Sequence, residues 1–476
     1  MMSHAGENWE RRLLIDGELV EGAMQLPVID PATGEPFLSV ARASPAQAEG
    51  AIAAARSAWP AWAARPHEER QACLVQLADA IAAHADELAR ALTREQGKPF
   101  AEAQGEIAWA EGYVRHYATL DLPGRTIRDD AEGLAMVRYR PLGVVAGIVA
   151  WNFPVLLACW KIAPAVLAGN SVILKPAPTT PLTALMIGAL CRDIFPAGIV
   201  NILVDDNDLG PVLTTHPDIA KISFTGSTAT GRRIMAGAAG TLKRLTLELG
   251  GNDPAIVLDD VDVSSVARQI FAFAFINCGQ VCLAIKRVYV DAAIHDALCG
   301  ELTQLAREAV VGEGMEQGTT IGPIQNRAQF EKIRAFVEQA RMDGTILAGG
   351  DVLERSGYFI TPAIVRDVTD GDQIVDEEQF GPILPIVRFD DIDAVVDRVN
   401  ASPQGLGGSI WSASTERALA IADRIETGTI WVNQHLAIGP HIPMAGFRQS
   451  GIGVEQAEEG LKEFMQIQAL NVARQP

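Results

Sequence analysis

In the first hundred residues Leu74, Leu77, Ile81, Leu88 and Leu92 recur at intervals of three, four and seven. That spacing puts them on one face and predicts a single amphipathic helix running to about Gln96, where Gly97 and Pro99 end it. Upstream, Ser44-Pro45-Ala46-Gln47 reads as a helix start, with Ser as N-cap, Pro at the first helical position and Gln closing a capping box. A short β segment precedes it.

From about Met136 to Leu258 the rhythm changes. Short apolar runs at Val144–Val149, Val172–Leu174, Ile199–Leu203, Ile222–Phe224 and Ala255–Leu258 alternate with helical stretches. Short apolar strands separated by helices imply βαβ units and a parallel sheet, whose ligand sites lie at the carboxyl ends of the strands. A second α/β stretch follows from about Val263 to Ile442, with a helix at Val266–Phe275 and strands at Arg287–Val290, Ile383–Phe389 and Thr429–Val432. Two α/β lobes with a cleft between them is the simplest architecture, and no repeat of solenoid length is present. The apolar run from Gly143 to Trp160 approaches the length of a membrane span. Asn152 and Pro154 interrupt it and Lys161 follows at once, so a buried strand, a turn and a helix are expected there.

The chain has 476 residues, enough for roughly two to three domains at about 100–200 residues each. Its formal charge of −20 argues against nucleic acid or an anionic membrane as partner, since both need clustered Lys and Arg. Six cysteines are too few for a disulfide framework in so long a chain, which points to a reducing compartment. Cys278-x-x-x-Cys282 has no second pair or His cluster beside it, so no metal site is expected. The N-terminal stretch is polar and lacks the apolar run of a secretory signal, so the expected location is the cytoplasm.

Four segments carry candidate chemistry. Cys282 lies in the Gly-containing loop Phe275–Cys282 between a helix and a strand, where a thiolate could face a cleft. A lone cysteine is more often a small buried hydrophobe, and the loop alone leaves both readings open. Glu248, between Leu247 and Leu249 and ahead of Gly250-Gly251, is placed for partial desolvation, which suits a general base; a structural ion pair would use the same residue. Asn152 in Trp151-Asn152-Phe153-Pro154 could offer its amide to an oxyanion, or could simply mark a turn. Lys175-Pro176 follows one strand, and Phe224–Gly231 follows another and opens a helix, so both could face an anion. The Gly-x-Gly-x-x-Gly fingerprint and a Walker-type loop are absent.

Taken in order, these segments resemble the aldehyde dehydrogenase superfamily. The resemblance extends from Ile29-Asp30-Pro31-Ala32-Thr33-Gly34 to Ser450-Gly451-Ile452-Gly453 and includes Glu378-Gln379-Phe380-Gly381-Pro382. It implies an NAD(P)-dependent, hydrolytic, non-CoA-acylating enzyme in which Cys282 is the nucleophile. Asn152 and the Cys282 backbone N–H would form the oxyanion hole, and Glu248 would activate water. Trp151, Lys175, Pro178, Gly226, Ser227, Glu378 and Phe380 match cofactor positions. Phe153, Leu157, Trp160, Val281, Leu283 and Met444 match the substrate tunnel.

The implied fold is α/β: a doubly wound, Rossmann-like cofactor domain (1–121 and 142–249), an α/β catalytic domain (250–443) and a small β oligomerisation extension (122–141 and 463–476) that pairs subunits into a homodimer or homotetramer. Val137–Arg140 and Gln466–Ala469 read as alternating edge strands that need cover.

Two departures matter. Pro178 stands where many NAD-preferring members carry a glutamate, which removes a repulsion and leaves NADP open beside NAD. Cys278 stands where a polar residue is usual; packing and a reversible disulfide with Cys282 are the two readings. The tunnel positions are mostly apolar, which points to an aromatic or medium-chain aliphatic aldehyde rather than succinic semialdehyde. His435 and His441 are expected as solvent-facing loop residues. Rival functions are a cofactor-free cysteine ester hydrolase, and a non-catalytic protein that has kept the fold.

Overall fold

The computed structural model describes residues 9–122 and 124–474. Its largest sheet has eight strands in the order Glu18–Val20, Leu13–Ile15, Val200–Ile202, Ser171–Lys175, Val144–Ile148, Ile219–Thr225, Arg244–Glu248, Gly451–Ile452. The five strands from Val200–Ile202 to Arg244–Glu248 are parallel. Strand order reverses between Val144–Ile148 and Ile219–Thr225, which opens a crevice at their carboxyl ends. Trp151, Lys175, Gly226 and Glu248 all stand at or just beyond carboxyl ends of this sheet.

A second sheet has seven strands in the order Thr345–Ala348, Ala363–Arg366, Ile383–Phe389, Ile285–Asp291, Asp253–Val257, Gly407–Trp411, Thr429–Val432. All but Thr345–Ala348 run parallel. Gly250-Gly251, Cys282 and Glu378–Phe380 each precede one of its strands, so the amino end of this sheet meets the carboxyl end of the first. Each sheet has its own buried apolar core, and Val281, Leu283, Leu406, Trp431 and Met444 join the core of the first sheet. A third sheet pairs Met465–Ala473 with Gly133–Pro141 and that with Gly124–Asp130, all antiparallel. Ile127, Ile467 and Val472 are exposed on it.

The capping box at Ser44 forms as expected: Gln47 N–H donates to Ser44 Oγ at 3.2 Å and Ser44 N–H to Gln47 Oε1 at 3.0 Å. The single helix expected to end near Gln96 is two helices, His67–Ala83 and Ala85–Gln96. The break falls at His84, whose ring Nδ1 bonds the Ala80 carbonyl at 2.8 Å and so competes with the helical ladder. Leu74, Leu77, Ile81, Leu88 and Leu92 stay buried on both sides, so the apolar spacing hid the break. Gly97 ends the second helix at φ +98°, and a Cβ there would meet Pro31 and Pro323 at 2.8 Å. The run from Gly143 to Trp160 is the expected strand Val144–Ile148, a turn and the buried helix Pro154–Leu167. Among the described residues no helix is long and apolar enough to cross a membrane.

Candidate active site

Five of the six cysteines are buried; Cys282 alone is partly open. The helix Val263–Phe275 ends just before it, and the chain reverses through Asn277, Cys278 and Gly279, all left-handed at φ 51°, 58° and 71°. Two non-glycine residues in that region cost energy and persist only when their surroundings hold them. Here Asn277 N–H donates to Glu102 Oε2, Asn277 Oδ1 accepts from Gln96 Nε2, and Asn277 Nδ2 donates to the Asn152 carbonyl, each at 2.9 Å. Gln280 Nε2 returns to the Asn277 carbonyl, and Gln280 Oε1 accepts from Gln325 N–H, both at 2.9 Å. A Cβ on Gly279 would lie 2.4 Å from the Gly381 oxygen. Cys278 is buried in the second core, and burial pushes its thiol far up.

Asn152 is fixed from both ends. Its Nδ2 donates to the Gln280 carbonyl at 3.0 Å, which uses one of two amide hydrogens. Its own carbonyl accepts from Lys98 Nζ at 2.9 Å as well as from Asn277. Lys98 lies 2.5 Å from Glu106 Oε2 and 3.9 Å from the Phe153 ring centre, and both charged groups are fully buried. Glu106 Oε1 accepts from Val155 and Leu156 N–H at 2.9 and 3.2 Å, in the first turn of Pro154–Leu167, where a carboxylate complements the helix dipole. Glu106→Ala is expected to lower stability by about 3–5 kcal/mol because it strands a buried ammonium. A thermal midpoint equal to wild type would remove this pair from the account.

Glu248 closes the strand Arg244–Glu248, is 5% exposed, and has no partner for Oε1. Burial first, and then the charge of Glu455, raises its carboxyl well above the usual range, against the pull of Lys161. Lys161 donates to Glu455 Oε1 within the core, and the Met444 and Glu455 backbones pair at 2.8 Å. Burial and the Glu248 charge raise the Cys282 thiol, opposed by Lys286. Glu378 accepts from Gly251 N–H at 3.2 Å, and a Cβ on Gly250 would strike its other oxygen at 2.3 Å. Burial raises the Glu378 carboxyl, again against Lys286. Phe380, left-handed at φ 59°, meets the Trp151 ring edge-on at 5.3 Å, and Gln329 Nε2 donates to its carbonyl at 2.8 Å.

The other residues expected at the cofactor lie at or beyond neighbouring strand ends. Lys175 is buried and paired with Asp205 at 2.6 Å; Pro178 is half-buried. Ser227 is exposed and caps the eleven-residue helix Thr228–Ala238 through Thr230 N–H at 3.3 Å. The helix N-terminus and the unpartnered Thr179, Thr180 and Thr225 hydroxyls fit a dinucleotide. Leu157, Trp160, Val281, Leu283 and Met444 are all buried in the core of the first sheet, and the half-buried Phe153 packs against that core. Trp160 packs on Tyr113 at 5.2 Å.

His435 corrects the expectation of a solvent-facing loop histidine; His441 is exposed as expected. His435 is 1% exposed, bonded to Ser409 Oγ at 3.0 Å and to the Leu283 carbonyl at 2.7 Å, and burial holds it down to about 3, so it is neutral. Sequence reasoning also missed Lys98, Glu106, Lys161, Asp205, Lys286 and Glu455. Charged residues inside apolar stretches, as at Lys161, were the available signal.

A model of the aldehyde dehydrogenase family matches residues 19–470. An aldehyde dehydrogenase (LUC3) from Fusarium is 40% identical over 93% of this chain and 94% of its own. A betaine aldehyde dehydrogenase from Rhizobium etli is 39% identical over 97% of each. A double mutant of the Staphylococcus aureus betaine aldehyde dehydrogenase, solved with NAD+ and a BME-modified cysteine, superposes with TM-score 0.95 at 31% identity, covering 98% of both chains. The chain belongs to the aldehyde dehydrogenase family. It is an NAD(P)-dependent oxidoreductase that acts on aldehydes.

Proposed function

We propose that this enzyme oxidises an aldehyde to a carboxylic acid through a covalent bond to Cys282. The observation that carries this reading is the one partly open cysteine, on a clamped loop, facing a buried carboxylate with a free oxygen. The Cys282 thiolate attacks the aldehyde carbon and forms the C–S bond. The second Asn152 amide hydrogen and the Cys282 N–H hold the new alkoxide. Nicotinamide, when bound, supplies the hydride acceptor that turns this adduct into a thioester. Glu248 then takes a proton from water, whose oxygen bonds the acyl carbon as the C–S bond breaks and Cys282 leaves as thiolate.

Trp151, Phe380 and Glu378 would hold the nicotinamide end, and Lys175, Pro178, Gly226 and Ser227 the adenosine and diphosphate end. With no carboxylate at Pro178, both NAD and NADP are expected to serve. Pro178→Glu should cut kcat/KM with NADP about 10-fold or more, since it sets like charges together, and spare NAD; an unchanged ratio would remove Pro178 from cofactor choice.

The apolar lining favours an aromatic or medium-chain aliphatic aldehyde. The Tyr113–Trp160 pair and the relatives named betaine aldehyde dehydrogenase favour adding a quaternary-ammonium aldehyde to the candidates. The domain division follows the sequence boundaries given above. The exposed third sheet is the surface we assign to pairing in a homodimer or homotetramer, and the cytoplasm is the proposed location. An aldehyde panel followed at 340 nm with NAD and with NADP tests the activity. Aldehyde-dependent reduction is expected; ester hydrolysis without cofactor, and no reduction, would replace the proposal with a hydrolase.

A further inference from the structure

Lys286 has no part in the steps above, yet it is buried beside them. It is the second residue of Ile285–Asp291, 2% exposed, and its Nζ donates to the carbonyl of Val281, the residue before Cys282. The same ammonium lies 5.2 Å from the centre of the Phe380 ring. In the adjacent strand Asp253 pairs in register with Ile285. An ideal Cβ on Gly251 would meet the Cys282 carbonyl at 2.6 Å and Asp253 Oδ1 at 2.7 Å, so the Asp253 carboxylate adjoins the nucleophile's backbone.

The charges that bear most on the Cys282 thiol are those of Glu248, Lys286, Glu378 and Asp253. Three are carboxylates, which oppose a thiolate. Of the other nearby cations, Lys161 is paired with Glu455, Arg287 is turned to the Asn252 carbonyl and Tyr289 Oη, and Lys332 donates to the Glu378 carbonyl at 2.8 Å. Lys286 thus provides the cation for this cluster. Burial disfavours its charge, but Glu378, Asp253 and Cys282 favour it.

We propose that Lys286 is a positioning residue for the oxidation: it tethers Val281 and, as the buried counter-cation, lets Cys282 ionise among three carboxylates. This inference rests on Cys282 being the nucleophile. Ionisation breaks the S–H bond and passes the proton to solvent, with no change of redox state. A purely structural lysine would not set the pH at which the thiol reacts.

The test is the pH dependence of iodoacetamide labelling of Cys282 in the full-length enzyme, read by peptide mass together with loss of dehydrogenase activity. Lys286→Met should move the midpoint up by about one pH unit or more. Lys286→Gln, which keeps a donor to Val281 without the charge, should move it likewise, and Lys286→Arg should restore it. Each variant is checked for NADH binding. A wild-type midpoint in Lys286→Gln would overturn the role of the charge. Labelling of Cys282 that leaves activity intact would instead overturn the nucleophile reading.

Discussion

Cys282→Ala is expected to lower aldehyde-dependent NADH formation by roughly 10⁵–10⁶-fold, to background, while NADH binding stays within about two-fold of wild type. The size follows from the role: with no sulfur there is no adduct from which hydride can leave, and no neighbouring group replaces it. Cys278, the other thiol on the loop, is buried in the second core and cannot take over. Binding should survive because Trp151, Phe380, Lys175 and Ser227 are untouched and the clamps run through Asn277 and Gln280. Appreciable oxidation by the variant, measured at 340 nm, would exclude Cys282 from the mechanism.

Glu248→Gln should collapse steady-state turnover by about 10²–10⁴-fold while leaving a burst of about one NADH per site. The amide keeps size and polarity but cannot accept the proton of water, so acylation proceeds and deacylation stalls. The pH profile carries the same signature with a definite sign. Burial and Glu455 raise the Glu248 carboxyl, and only its ionised form is a base. Turnover should therefore rise with pH through a limb above the usual carboxylate range, and that limb should vanish in Glu248→Gln. An unchanged limb, or unchanged turnover in stopped-flow and steady-state assays, would remove Glu248 as the base.

Much of this was legible in the sequence because local rules and long-range structure agreed. Apolar runs ending at Leu174 and Phe224 gave parallel strands whose carboxyl ends carry Lys175 and Gly226. Arg244–Glu248 escaped notice because it alternates polar and apolar residues like an exposed edge, although its last three residues are buried. Gly407–Trp411 escaped because paired glycines weaken a strand pattern. The groups that tune the site were harder still. Lys161 meets Glu455 across 294 positions, and Lys98 reaches the Asn152 carbonyl across 54. Periodicity predicts a buried face, not which charge will find its partner there. His435 failed for the same reason: its loop reads as exposed, and only the fold brings Ser409 and the Leu283 carbonyl to it.

Formation of the carboxylic acid through an acyl group on Cys282 is tested by intact-protein mass spectrometry of Glu248→Gln after mixing with aldehyde and NAD. A mass increase equal to one acyl group per chain is expected, located on Cys282 by peptide mapping and absent without NAD. An unmodified protein that has nonetheless reduced one equivalent of NAD, or an acyl group on another residue, would contradict it.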